Sequence, residues 1–240
     1  EYNTYYYGGL ALGQDRNKLE SPEGFNIGRG YLAFVGDNSK FGITAPLSGT
    51  RYRFQVDKSI GAFDYVGVLA DYRKYIYAKP FSFAFRGMHY GRYGGNSKEL
   101  YPVVIGNDFL VRGYNINSFR PTQEDGLNIN NLAGDRMAVV NAEIRFPFTG
   151  PEKLSLIKSG LLFSDLALFV DGGVVWSRGS DVEFKWNPSP EFQTPIFSAG
   201  ITTRINLFGY IILEPYYVFP FQRNDIRGGT FGLNISAGGW

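Results

Sequence analysis

Arginines and carboxylates set in the middle of alternating segments are what this sequence offers for chemistry. Arg51, Arg53, Asp71, Arg73, Arg86, Glu143, Arg145, Asp171, Arg204 and Glu214 each fall on the polar side of a run whose other side is apolar. A planar guanidinium takes a carboxylate through two parallel N–H···O bonds, so the chemistry within reach is directional ion pairing. Catalytic chemistry finds less to work with. The chain has no cysteine, which removes disulfides, Cys-ligated zinc, iron–sulfur clusters and a thiol nucleophile. Its one histidine, His89, leaves no conventional His-based metal site and little room for a Ser-His-Asp triad, and beside Tyr90 and Tyr93 it reads as a residue of a strand end. Gly91-Arg92-Tyr93-Gly94-Gly95 has no helix after it to cradle a phosphate, and Asp135 and Asp181 lack a partner pattern for hydrolysis. No enzyme activity, cofactor or metal is expected. The 24 basic and 22 acidic residues are mixed along the chain, for a net charge of +2, which gives no nucleic-acid footprint.

The elements that carry these charges are strands. In Arg51-Tyr52-Arg53-Phe54-Gln55-Val56-Asp57 every even residue is apolar and every odd one polar, the period of a strand with one apolar face. Val66, Val68, Ala70 and Tyr72 alternate with Asp71 and Arg73, and Phe81, Phe83 and Phe85 with Ser82, Ala84 and Arg86. Val140, Ala142, Ile144 and Phe146 oppose Val139, Asn141, Glu143 and Arg145; Leu166, Leu168 and Val170 oppose Ala167, Phe169 and Asp171. Residues 199–206, 211–217 and 231–237 repeat the pattern, and weaker candidates near 5–12 and 30–42 bring the count to roughly ten strands. Pro215 predicts a bulge or local weakness in its strand, and 151–160 a single helical turn.

Thirteen per cent glycine by count, 31 of 240, with 17 Tyr and 21 Phe, excludes disorder and fits an all-β chain. A helical membrane span is excluded by the lack of about 18 apolar residues in a row. The richest stretch, 161–176, is cut by Asp165 and Asp171. A β-barrel crosses a membrane with strands of only ~9–11 residues, each with one apolar face. Connections alternate short (78–80, 206–209) and long (94–136, 176–195), and aromatics gather at strand ends, as in outer-membrane barrels with their short turns, long outer loops and aromatic girdles. The predicted fold is therefore an antiparallel transmembrane β-barrel, a single domain over 1–240, with a long loop at about 94–136.

Four motifs carry a family resemblance: Leu110-Val111-Arg112-Gly113-Tyr114 in the long loop, Asn141-Ala142-Glu143-Ile144-Arg145, Phe169-Val170-Asp171-Gly172-Gly173, and a last strand ending in Trp240. In this order they resemble the C-terminal part of the barrel of the BamA-like outer-membrane assembly and secretion superfamily, also called bacterial surface antigens. The resemblance implies a barrel of about sixteen strands, so either this chain holds the last ten or so, with the remainder and any N-terminal modules upstream, or it is a smaller closed relative; the first reading is favoured. It implies location in a bacterial outer membrane and a role in inserting or translocating outer-membrane proteins. The implied partners are outer-membrane lipids, unfolded outer-membrane protein clients, and accessory lipoproteins or other outer-membrane subunits, with no nucleic acid. The rival readings are a structural anchor in an outer-membrane complex and a diffusion porin.

The resemblance also implies that the loop bearing Arg112 folds into the lumen and that Arg112 meets Asp171, with Glu143 nearby. The parity of Glu143 and Asp171, both on polar faces, agrees with it. Gly113 suits a tight or left-handed tip beside Tyr114. Phe169 shares the parity of Asp171 and either covers the loop or fills space, while Arg204 and Glu214 are expected to form a lumen ion pair without special role. The glycine-rich last strand, ending Gly238-Gly239-Trp240, is the candidate for a labile seam that templates an incoming strand.

Overall fold

A computed structural model describes residues 3–7, 10–15, 26–97, 100–118, 127–153, 155–186, 192–226 and 228–237. Its main element is a sheet of eleven strands, nine of them long and paired antiparallel. We number the long ones β1 (Ile27–Asp37), β2 (Pro46–Gly61), β3 (Tyr65–Ala78), β4 (Phe81–Tyr93), β5 (Arg136–Gly150), β6 (Phe163–Trp176), β7 (Ile196–Leu207), β8 (Ile211–Pro220) and β9 (Thr230–Ala237). Each pairs with its neighbours in sequence, so the chain meanders up and down from β1 at one edge to β9 at the other. Among the described residues the two edges form no ladder with each other, so the sheet is not closed. No helix of the described residues is long and apolar enough to cross a membrane.

Period-two patterning decides which way each side chain points. Val140, Ile144, Leu166, Leu168, Val170, Ile201, Leu233 and Ile235 lie exposed on the outer face, where no second layer packs on them. A soluble monomer rarely leaves so continuous an apolar surface uncovered. Aromatic clusters rim it: His89 stacks on Trp176 at 5.7 Å and lies 2.8 Å from the Tyr93 hydroxyl, and Phe81 packs on Phe146 at 5.6 Å. The inner face holds the charges and the long loop.

Connections at one end of the strands are short or tightly folded, and at the other they include the segments 94–135, 177–195 and 221–229. Residues 208–210 link β7 to β8, with Tyr210 N donating to Leu207 O at 3.2 Å and Phe208 (φ 56°) and Gly209 (φ 81°) both in left-handed backbone, as at the centre of a type I′ turn. Several expectations are corrected. Residues 5–12 do not form one strand: Asn3–Tyr7 and Leu10–Asp15 pair antiparallel as a separate hairpin. The strand expected at 30–42 begins and ends earlier, at Ile27–Asp37. Pro215 makes no bulge. The β7–β8 ladder lapses between the pairs Thr202–Tyr216 and Ile205–Leu213 and resumes in the same register, with the Thr202 hydroxyl donating to the Pro215 carbonyl at 3.0 Å. Within 151–160 a single turn does form, with Ser155 N donating to Pro151 O at 3.1 Å, and an extended piece, Ile157–Lys158, then lies beside Thr149–Gly150.

Candidate functional site: an ion cluster that holds the long loop

Four adjacent strands aim polar side chains at one point of the inner face. The register sets Asn141 opposite Asp171, Glu143 opposite Phe169, and Phe169 opposite Gly200. Gly200 has no side chain, and a Cβ there would stand 2.7 Å from Phe169 Cζ, so the tip of the ring occupies the space over β7 that a side chain would fill. Glu214 of β8 and Arg204 of β7 point to the same place, as does Arg145 of β5.

The long loop arrives from the other side. Its base is a short ladder, Val103–Val104 with Ala133–Gly134, and Ile105 N donates to Leu132 O at 3.0 Å. Ile116 N reaches Gly106 O at 3.0 Å, closing residues 106–116 into a compact tongue. Ile105, Val111, Tyr114, Leu127 and Leu132 bury themselves against Met88, Val139, Val175 and Ile196 of the wall. Each such side chain contributes about 1.5–3 kcal/mol when fully buried. Gly173 permits the contact, because a Cβ there would fall 2.2 Å from Ile105 Cδ1.

At the tip, Arg112 is only 2% exposed, which puts it in the regime where an unpaired charge is not tolerated. Its Nε and Nη2 donate to Asp171 Oδ2 and Oδ1 at 2.7 and 2.8 Å, the bidentate fork, and its backbone N–H adds a third bond to Asp171 Oδ2 at 3.2 Å. Nη1 lies 2.9 Å from Glu143 Oε1 and 3.0 Å from Glu214 Oε1. The guanidinium carbon sits 3.4 Å over the Phe169 ring, a cation–π contact. Glu143 in turn takes Arg204 at 2.9 Å and Arg145 at 2.8 Å, and Arg204 also reaches Glu214 at 3.1 Å. Three guanidiniums thus face three carboxylates, all of them buried. Burial pulls the Arg112 pKa down, but Glu143, Asp171 and Glu214 more than offset it, so the side chain stays charged.

Neighbours fix the tongue on either side of Arg112. Gly113 adopts φ 86°, and its N–H donates to Asp108 Oδ1 at 3.1 Å while Arg223 Nη1 donates to its carbonyl at 3.1 Å. The Tyr114 hydroxyl donates to Gln222 Oε1 at 2.7 Å and accepts from Gln222 N at 3.1 Å. Burial pushes the Tyr114 phenol up, so it remains a donor. Asn141 Nδ2 joins the wall to the tongue, donating to Asp171 Oδ1 at 2.9 Å and to Leu110 O at 2.8 Å.

Arg112, Gly113, Tyr114, Glu143, Phe169 and Asp171 are therefore gathered at one place. Asn141 and Arg145, legible in sequence only as parts of a strand motif, join them, as do Asp108, Gln222 and Arg223, which carry no sequence signal, and Arg204 and Glu214, expected only as a separate ion pair. Gly238, Gly239 and Trp240, the candidate seam residues, lie outside the described residues. Gly229, just before β9, takes φ 85°, and β9 pairs with β8 from Thr230 to Ala237. The arrangement is a set of buried, mutually paired charges with a loop tip at its centre. What it can do chemically is bind a loop tip by charge and release it only if a partner or a motion satisfies the same charges.

A family model, the Omp85 superfamily domain, matches residues 28–238. A comparison with curated proteins finds no match.

Proposed function

The chain belongs to the Omp85 superfamily, a β-barrel family of outer-membrane protein assembly and translocation, and on that basis we propose that it works as a BamA-like insertase or translocation barrel in a bacterial outer membrane. The observation that carries this reading is the tongue locked against the inner face by Arg112. A filled interior suits a barrel that handles polypeptides at its wall and serves a diffusion porin poorly, since a porin needs an open aqueous lumen. The exposed apolar band on the outer face supports contact with lipid. In this proposal 1–240 is the C-terminal barrel region, the six residues Arg112, Gly113, Tyr114, Glu143, Phe169 and Asp171 form the latch of the long loop, and Gly238, Gly239 and Trp240 complete a seam with another strand. Clients are unfolded outer-membrane proteins, with accessory lipoproteins or other outer-membrane subunits as partners.

The test is reconstitution of the whole native protein in lipid vesicles with an unfolded outer-membrane protein as client. Faster client insertion than in protein-free vesicles is the expected result. Steady conductance without faster insertion would instead assign a porin. Neither activity, with copurification of other outer-membrane proteins in fixed ratio, would assign an anchor.

A further inference from the structure

The connection between β1 and β2 does not run over the rim as a surface turn. Lys40 and Phe41 pair with Ser48 and Pro46, and Gly42 N donates to Ala45 O at 2.8 Å, so residues 40–48 make a small hairpin with its tip at 42–45. Gly49, at φ 105°, is where the hairpin leaves the plane of β2. No residue with a Cβ fits there, since that atom would stand 2.5 Å from Asn38 O. The tip then reaches strands three to five places away in the sheet. The Thr44 hydroxyl donates to the Asp165 carboxylate of β6, and Asn206 Nδ2 of β7 donates to Ile43 O at 2.9 Å. Ile43 Cδ1 occupies the space over Gly150, where a Cβ would come within 2.5 Å of it. Thr44 and Ala45 are 3% and 4% exposed, burial that a surface turn does not have.

Arg145 joins this tip to the loop cluster. Its Nη1 donates to Pro46 O at 3.2 Å, while its Nε donates to Glu143 Oε2 at 2.8 Å. The other oxygen of that carboxylate lies 2.9 Å from Arg112 Nη1. One guanidinium therefore holds the hairpin tip with one edge and, with another, the carboxylate that grips the loop from the opposite end.

We infer that residues 42–46 are a second closure of the lumen, at the end opposite the long loop, and that Arg145 and Glu143 tie its state to that of Arg112. The inference rests on the barrel reading above. The two closures lie in series, so a path through the lumen opens only when both have moved. Because they share Glu143, loosening either one weakens the hold on the other, a coupling of the size that changes an opening equilibrium about tenfold.

Accessibility of the tip tests this in the whole native protein. This chain has no cysteine, so Ala45→Cys adds to it one reporter thiol without touching any of the anchoring hydrogen bonds. A membrane-impermeant maleimide supplied on the turn side is expected to label it slowly in the parent and about tenfold faster once Arg112→Ala is added. Unchanged labelling in an Arg112→Ala protein whose loop has demonstrably opened, by hydrogen exchange at 106–116, would overturn the coupling. The second arm is ion flux across a bilayer. Thr44→Val with Asn206→Leu is expected to raise the flux of the Arg112→Ala protein several-fold, and equal flux would overturn the closure. Client insertion is read separately, so a protein that labels and conducts as expected yet inserts no client would refute the insertase reading and leave this one standing.

Discussion

Replacing Arg112 by alanine leaves Glu143 and Glu214 to Arg145 and Arg204 and takes from Asp171 the guanidinium it pairs with, all of these groups being buried. Asp171 loses both side-chain bonds of the fork and keeps Asn141 and one backbone N–H as donors. Removing one partner of a buried ion pair costs about 3–5 kcal/mol, because the orphaned carboxylate can neither reach water nor find another cation. The tongue is the part able to give way, so the cost falls on loop docking before it falls on the sheet. At 1.4 kcal/mol per decade, the opening equilibrium of residues 106–116 shifts by roughly 10²- to 4 × 10³-fold. Arg112→Lys keeps the charge but not the planar fork and is expected to fall between, losing about 1.5–3 kcal/mol. Hydrogen exchange at Val111 and Gly113, with β5 and β6 amides as internal reference, measures this in micelles or vesicles. Combining Arg112→Ala with Asp171→Ala gives the pair's own term, expected at about 0.5–3 kcal/mol of non-additivity. Loop amides as protected in Arg112→Ala as in the parent, with the barrel folded, would refute the reasoning.

Other substitutions test the surroundings of the cluster. Phe169→Leu removes the ring beneath the guanidinium and is expected to open the loop by about 0.5–2 kcal/mol, less than Arg112→Ala, in the same exchange experiment. Gly113→Ala forces an L-residue to φ 86° and brings a Cβ to 3.0 Å from Val218 Cγ1, so the tip should lose about 1–2 kcal/mol, read as faster proteolysis within 94–135. Gly173→Ala drives a methyl into Ile105 and should cost about 1–3 kcal/mol of loop docking while β5–β6 pairing persists. Phe208→Asn should do the opposite at the far end, raising the denaturation midpoint by relieving up to about 1 kcal/mol of left-handed strain in the β7–β8 turn.

Period-two alternation made the faces legible, and with them the inward direction of Glu143, Phe169 and Asp171. It could not say which inward residues meet. Arg112 and Glu214 are 102 positions apart, and only the register of β6, β7 and β8 brings Glu214 into reach, a quantity set by turn geometry and pairing. Asp108, Gln222 and Arg223 lie in irregular segments with no period to read. Two further signals stand in the sequence. Gly8-Gly9 is a dipeptide of the kind that favours a hairpin turn, a composition that argues against one strand over 5–12. Gly42-Ile43-Thr44-Ala45-Pro46 is too apolar for a surface turn, and that composition marks a connection that turns inward. At Pro215, of the bulge or local weakness expected, the weakness is what occurs: the missing N–H is absorbed by a short lapse in one ladder without a change of register.

The most direct test of the central claim, that a loop locked by Arg112 serves outer-membrane protein assembly, is client insertion by the Arg112→Ala protein reconstituted in vesicles. Insertion falling toward the protein-free rate, with Arg112→Lys intermediate and the barrel folded in both, is the predicted result. Insertion at the parent rate from an Arg112→Ala barrel whose loop amides have become exposed would contradict it.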